Sequence, residues 1–290
     1  MKILLICLIA TGVALAFDPD GGPPGSSSMR ARVNAPSDAW SITITSQNNL
    51  SLPWAVSLRG CDYADTFGEV LVTDYEQDSM FTVDPATGNK NAGLACPPEI
   101  PQVLGVCHHQ AAGGNYFYVN DWQDGTDIYE YFTGTSSWSL AFANPSPEPR
   151  GMDMDPDLYI WEIDASSHLL YMIDLSGSVM DSWTLGELPS GYACACCVYP
   201  YDGDLVLLIG GYYFDNFYFY HYDGADLEYM GSAPVPQSYS ASYGVGYSED
   251  TDSFYWIWRD SGNSYNLCEF TVDIEEALQP TTWGRIKAGL

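Results

Sequence analysis

Apolar positions along this chain fall in short alternating runs set between clusters of Gly, Asp, Asn and Pro, and almost nowhere at helical spacing. Only Ile274 to Leu278 suggests a helical turn. The strongest runs are Glu69-Val-Leu-Val-Thr-Asp74, Asn115-Tyr-Phe-Tyr-Val-Asn120, Asp157-Leu-Tyr-Ile-Trp-Glu162, Asp204-Leu-Val-Leu-Leu-Ile209 and Ser253-Phe-Tyr-Trp-Ile-Trp258, with starts 42 to 49 residues apart. A recurrence of that length predicts one four-stranded propeller blade per repeat.

Before each strong run lies a segment rich in Gly and small residues: Leu58-Arg-Gly-Cys61, Leu104-Gly-Val-Cys107, Arg150-Gly-Met-Asp153, Ala193-Cys-Ala-Cys196 and Tyr243-Gly-Val-Gly246. Small side chains suit innermost strands that crowd a central channel. After each strong run comes a second strand. Four of the five close on a hydrophobic-Asp phrase, at Asp84, Asp174, Asp223 and Asp273, and the first three are followed by Gly88, Gly177 and Gly224. Asp caps such a strand end through nearby amides, and Gly accepts positive φ. A fourth, more polar segment often ends in Pro, which protects a blade edge from pairing with other chains.

The expected fold is therefore all-β, a β-propeller of five four-stranded blades over residues 39–290. If Trp40-Ser-Ile-Thr-Ile-Thr-Ser46 opens a degenerate blade, the count is six. The last blade takes its fourth strand either from Thr282 to Ile286 or from Trp40 to Ser46, and either choice closes the ring.

The start of the chain reads differently. Met1 to Ala16 has the form of a secretory leader: Lys2, an apolar run from Ile3 to Ala10, and Ala14-Leu15-Ala16 before Phe17. Residues 17–38, rich in Gly, Pro and Ser, are expected to form a flexible lead-in. No later run is long enough to span a bilayer. The expectation is a secreted, periplasmic or extracellular protein. A formal net charge of -29, from 38 acidic against 9 basic residues, argues against nucleic acid and anionic membranes as partners and leaves cations, basic partners and neutral polymers open.

The segment Pro149-Arg-Gly-Met-Asp-Met-Asp155, followed by Leu158-Tyr-Ile-Trp161, Leu170-Tyr-Met-Ile-Asp174 and Gly177, resembles the repeats of secreted bacterial propellers of the NHL, YncE and glutamine-cyclotransferase-like groups. The resemblance implies the propeller fold. Those groups include both enzymes and binding modules, so it implies no single activity.

Several constellations are candidates for chemistry. Cys61, Cys107 and Cys196 each lie eight residues before a strong run, and with His109, on the same strand face as Cys107, they suggest a soft-metal site. The alternating Asp153, Asp155 and Asp157 suggest calcium, although the remaining EF-hand ligands are missing. Otherwise no cofactor is expected. Cys194-Ala-Cys-Cys197 has redox spacing, but in a predicted strand it lacks a helix start to lower the thiol pKa. A bridge from Cys96 to Cys107 would join one blade to the next, while the odd number of cysteines after the leader leaves at least one thiol unpaired.

Aromatic side chains concentrate at Tyr212, Tyr213, Tyr218, Tyr220 and Tyr222, and again at Trp256 and Trp258, where they serve either a binding surface or blade-to-blade packing. No phosphate-binding loop, nucleophile elbow or zinc-protease helix occurs. The leading expectation is a non-catalytic module that binds a protein or glycan. The alternative is a hydrolase or lyase acting on a polysaccharide or small ester at the channel mouth, with Asp62, Asp153 and His108 as acid-base groups. A third expectation is self-association, with Trp40 to Ser46 donated to a neighbouring subunit.

Overall fold

The structure is a computed structural model, and it describes residues 40–122 and 127–276. The leader, the lead-in and Thr282 to Ile286 lie outside the described residues. Strand β1 (Trp40–Ser51) comes first. Blade one holds β2 (Leu58–Ala64), β3 (Glu69–Asp74), β4 (Ser79–Val83) and β5 (Lys90–Ala95). Blade two holds β6 (Val103–Ala111), β7 (Gly114–Asp121), β8 (Asp127–Phe132) and β9 (Ser137–Ala143). Blade three is built from β10 (Pro149–Met154), β11 (Ile160–Asp164), β12 (Leu169–Ile173) and β13 (Val179–Thr184). Blade four follows with β14 (Ala193–Tyr201), β15 (Asp204–Gly211), β16 (Asn216–Tyr222) and β17 (Leu227–Pro234). Blade five adds β18 (Ala241–Ser248), β19 (Ser253–Arg259) and β20 (Tyr265–Glu276).

Each blade is a four-stranded antiparallel sheet, and blade five borrows β1 as its outermost strand in the order β1-β20-β19-β18. The innermost strands β2, β6, β10, β14 and β18 pack each against the next, and β18 packs against β2. The molecule is a five-bladed β-propeller, which rules out six blades. Strand β1 pairs with β20 from Trp40 opposite Glu276 to Ser51 opposite Asn266. Trp40 to Ser46 is therefore used within its own chain, which corrects the expectation that it is donated to a neighbour. The same pairing corrects the helical turn expected at Ile274: residues 274–276 continue β20. No helix among the described residues is long and apolar enough to cross a membrane.

The turns follow the predicted chemistry. Asp84 Oδ1 accepts the Ala86 amide at 2.8 Å, Asp174 Oδ1 accepts Ser176 and Ser178 at 2.9 Å, and Asp223 Oδ1 accepts Ala225 at 2.9 Å and Asp226 at 2.7 Å. Gly88, Gly177 and Gly224 take positive φ beside them. Asp273 departs from the phrase because β20 runs on to pair with β1, placing Asp273 opposite Thr43 in the ladder. The core lies in layers between neighbouring blades, since both faces of each sheet are covered.

One irregularity recurs in every blade and shapes the site. Near its start, each innermost strand carries one residue more than its partner. Arg59 and Gly60 stand opposite Thr73, Leu104 and Gly105 opposite Asn120, Arg150 and Gly151 opposite Ile163, and Tyr243 and Gly244 opposite Ile257. In blade four Cys194 is the extra residue, between Ala193 and Ala195. Such bulges re-aim side chains at the rim of a sheet.

The accompanying glycines are set by close approach of backbones. A Cβ on Gly60 would strike the Leu104 carbonyl, one on Gly105 the Arg150 carbonyl, and one on Gly244 the Cys61 amide. Two side chains clip blades together at this level. The Gly60 amide donates to Thr73 Oγ1 at 2.7 Å, and that hydroxyl donates to the Leu104 carbonyl. The Gly105 amide donates to Asn120 Oδ1 at 2.6 Å, and Asn120 Nδ2 donates to the Arg150 carbonyl at 3.0 Å. Together with Cys61, Val106, Met152, Cys196 and Val245, these glycines form a neck in the channel that leaves no room for a water molecule.

Candidate functional site

On the side of the neck where the innermost strands begin, the bulged side chains of Arg59, Leu104, Arg150, Cys194 and Tyr243 form the floor of a cavity of about 350 Å³. Loops at the strand ends supply its walls: Tyr75 after β3, Trp122 after β7, Tyr192 before β14, and Tyr212 and Tyr213 after β15. Of the four strongly exposed aromatic side chains among the described residues, three rim this mouth: Tyr213 at 67%, Tyr192 at 53% and Trp122 at 47%.

The two arginines are held by stacking. Arg59 Cζ lies 4.8 Å from the Tyr243 ring centroid and 5.2 Å from that of Tyr75. Its Nη1 donates to the Leu58 carbonyl at 2.8 Å and to the Tyr265 hydroxyl at 3.3 Å. Arg150 Cζ lies 4.8 Å from the Trp122 ring, and its Nη1 donates to the Pro149 carbonyl at 2.8 Å. Stacking of this kind fixes a guanidinium plane and leaves its N–H edge available. Burial lowers the Arg150 pKa, and the like charge of Arg59 adds to the effect. Cys194 donates to the Ser242 carbonyl at 3.2 Å, and burial pushes its thiol up to about 12. Among the described residues no carboxylate or imidazole lines the mouth. Such a lining is equipped to recognise a ligand by stacking and charge-assisted hydrogen bonds.

The predicted catalytic side chains lie elsewhere. Asp62, Asp153 and His108 line no part of the mouth cavity. They sit beyond the neck, toward the later ends of the innermost strands, where Asp62 and Asp153 are buried at 4% and 6% exposure. Two of the three do meet: His108 Nδ1 is 2.9 Å from Asp62 Oδ2. Burial pulls the His108 pKa down, but the charge and hydrogen bond of Asp62 outweigh it and the net shift is upward. Asp153 accepts amide hydrogen bonds from Met154 and Val198, each at 2.7 Å, and burial followed by the charge of Asp62 raises its pKa well above the carboxylate range.

The residues named for a metal are dispersed among different surroundings. Cys61 lies in the core layer of blades five and one, Cys107 in that of blades two and three, and Cys196 in that of blades three and four. His109 shares its strand face with Cys107, as the alternation predicts, but stacks on Tyr116 with ring centroids 5.1 Å apart. Asp155 accepts Trp161 Nε1 at 2.8 Å and the Tyr159 amide at 2.9 Å, Asp153 is turned to Val198, and Asp157 is exposed. No group of three His, Cys, Asp or Glu side chains among the described residues is placed to hold a metal. The Cys96–Cys107 bridge is absent as well: all seven cysteines among the described residues are free.

Of the predicted binding aromatics, Tyr212 and Tyr213 reach the mouth. Tyr220, Trp256 and Trp258 are core residues at 0%, 0% and 6% exposure, which corrects their assignment to a surface. Tyr218 and Tyr222 pack against the layer of blades three and four. Sequence reading missed Arg59, Tyr75, Trp122, Arg150 and Tyr192. The signal for the arginines was present, since an Arg-Gly pair stands at the same place in the first and third small-residue strands.

Neither a protein-family model nor a curated protein matches the chain. Solved structures do resemble it. The PQQ-bound aldose sugar dehydrogenase of Streptomyces coelicolor aligns over 80% of this chain and 99% of its own, with a TM-score of 0.56 and 11% identity. Virginiamycin B lyase of Staphylococcus aureus aligns over 83% of this chain and 76% of its own, with a TM-score of 0.45 and 13% identity. A chain of a nidogen–laminin complex covers 74% of this chain and 84% of its own, with a TM-score of 0.49 and 13% identity. At these identities the likeness concerns the fold alone, which enzymes and binding proteins share.

Proposed function

We propose that the chain is an exported binding module that receives a protein or glycan partner at its bulged mouth and performs no chemistry on it. The observation that carries this reading is the convergence of three exposed aromatic rings and two stacked arginines on one cavity. Exposed aromatic clusters with arginine are the composition of recognition surfaces, because rigid rings gain contact area at little entropic cost. The cavity is also of the size that small ligands occupy. The acid-base reading is weaker, because Asp62 and Asp153 are buried at 4% and 6% exposure and Asp153 is held by two backbone amides.

The test is a glycan array probed with the full chain, followed by titration of each hit by intrinsic fluorescence. Trp122→Ala and Tyr213→Ala are each expected to weaken binding at least tenfold, and Leu140→Ser, on an exposed outer strand, to leave it unchanged. Full retention of the hits by both aromatic variants overturns the mouth as the binding surface.

A further inference from the structure

Resting on the mouth as the binding site, we propose that its ligand is a sugar bearing a single carboxylate, held by Arg59 and Arg150. The chain carries 9 basic residues against 38 acidic ones. Four of the basic residues are described, Arg59, Lys90, Arg150 and Arg259, and two of these four line one cavity. Neither forms a salt bridge among the described residues. Glu148, whose charge acts on Arg150, is engaged instead by the Ser166 hydroxyl. Each guanidinium spends one nitrogen on the carbonyl of the preceding residue, and Arg59 adds the Tyr265 hydroxyl, leaving the other N–H groups without an acceptor among the described residues.

Two partly buried guanidinium groups in one cavity repel each other, and an anion between them relieves that repulsion. The planar fork of arginine matches a carboxylate with two parallel hydrogen bonds. The rest of the molecule limits how much negative charge the ligand carries. With a net charge of -29 around one small positive site, a polyanion is repelled, while one carboxylate on a neutral body is accepted. The rim selects that body, because Trp122, Tyr192 and Tyr213 offer exposed aromatic surface against which the C–H face of a sugar ring packs.

The experiment is calorimetric titration of the full chain with cellobiouronic acid, a glucuronate joined to glucose, and with cellobiose, which differs at one carbon by having CH₂OH in place of the carboxylate. The acid is expected to bind at least tenfold more tightly, with an advantage that shrinks as salt rises. Arg150→Gln and Arg59→Gln are expected to bring it down to the level of cellobiose, and Arg150→Lys, which keeps charge without the fork, to fall between. Thermal unfolding of each variant establishes that it is folded. Equal affinity for the two sugars in the wild-type chain overturns the carboxylate assignment and leaves the mouth standing. Tight binding of the acid that persists in Trp122→Ala and in both Arg→Gln variants overturns the mouth itself. Binding of a short Glu-containing peptide with neither sugar bound overturns the sugar.

Discussion

Glu162 is fully buried in blade three, where its Oε1 accepts Asn120 Nδ2 at 2.5 Å and Asn144 Nδ2 at 2.8 Å while its Oε2 has no partner among the described residues. Burial raises its pKa to about 7, against the two amide hydrogen bonds that lower it. A pKa raised on folding contributes stability that is complete below the unfolded value, near 4.5, and is lost as pH rises through about 7. The loss amounts to roughly 2–4 kcal/mol. His108, also raised, acts in the same direction as pH passes above its own folded value. Chemical denaturation at pH 5 and pH 8 is therefore expected to find the wild-type chain weaker at pH 8 and the slope reduced in Glu162→Gln, with the share of His108 and Asp153 remaining; an unchanged pH slope in that variant contradicts the assignment. At this scale the sequence is a partial guide. Alternation correctly paired the faces of Cys107 and His109, but could not separate Trp256, sealed in a core layer within β19, from Tyr213, exposed at the mouth just after β15, because aromatic clustering alone does not say which neighbouring blade or loop covers a ring.

At the scale of elements, the repeat phrase was legible because turn chemistry is local. The bulge was not, because it belongs to the pairing of two segments. Counting from strong-run starts set Cys107 equivalent to Cys61 and Cys196, whereas the ladders align Cys61 with Val106 and Cys196, opposite Val72, Val119 and Ile209. That one-residue offset hid the ring of bulged side chains to which Arg59 and Arg150 belong. The same crowding predicts a stability effect. Gly105→Ala places a Cβ against the Arg150 carbonyl and the Met152 and Asn120 side chains, and is expected to cost about 2 kcal/mol, lowering Tm by about 4–8 °C. An unchanged melting temperature contradicts the tightness of the neck. Closure by β1 gives a second prediction. A chain beginning at Leu52 bares the β20 edge and is expected to melt earlier and to associate on size-exclusion chromatography; a monomer with unaltered Tm contradicts it.

For the molecule as a whole, net charge spoke against anionic partners and left basic and neutral ones open, and the fold qualifies that expectation by gathering two arginines at one end of the channel. Ring closure brings residues 59, 122, 150, 192 and 213 to one rim although they are spread over most of the chain, which is why no local motif announced the site. The most direct test is hydrogen exchange of the full chain with and without saturating cellobiouronic acid. Slower exchange is predicted in 56–60, 74–77, 190–194 and 211–214, the segments around the mouth. Protection confined to 62–67 and 246–251, at the far end of the channel, would contradict the mouth as the place where this propeller meets its ligand.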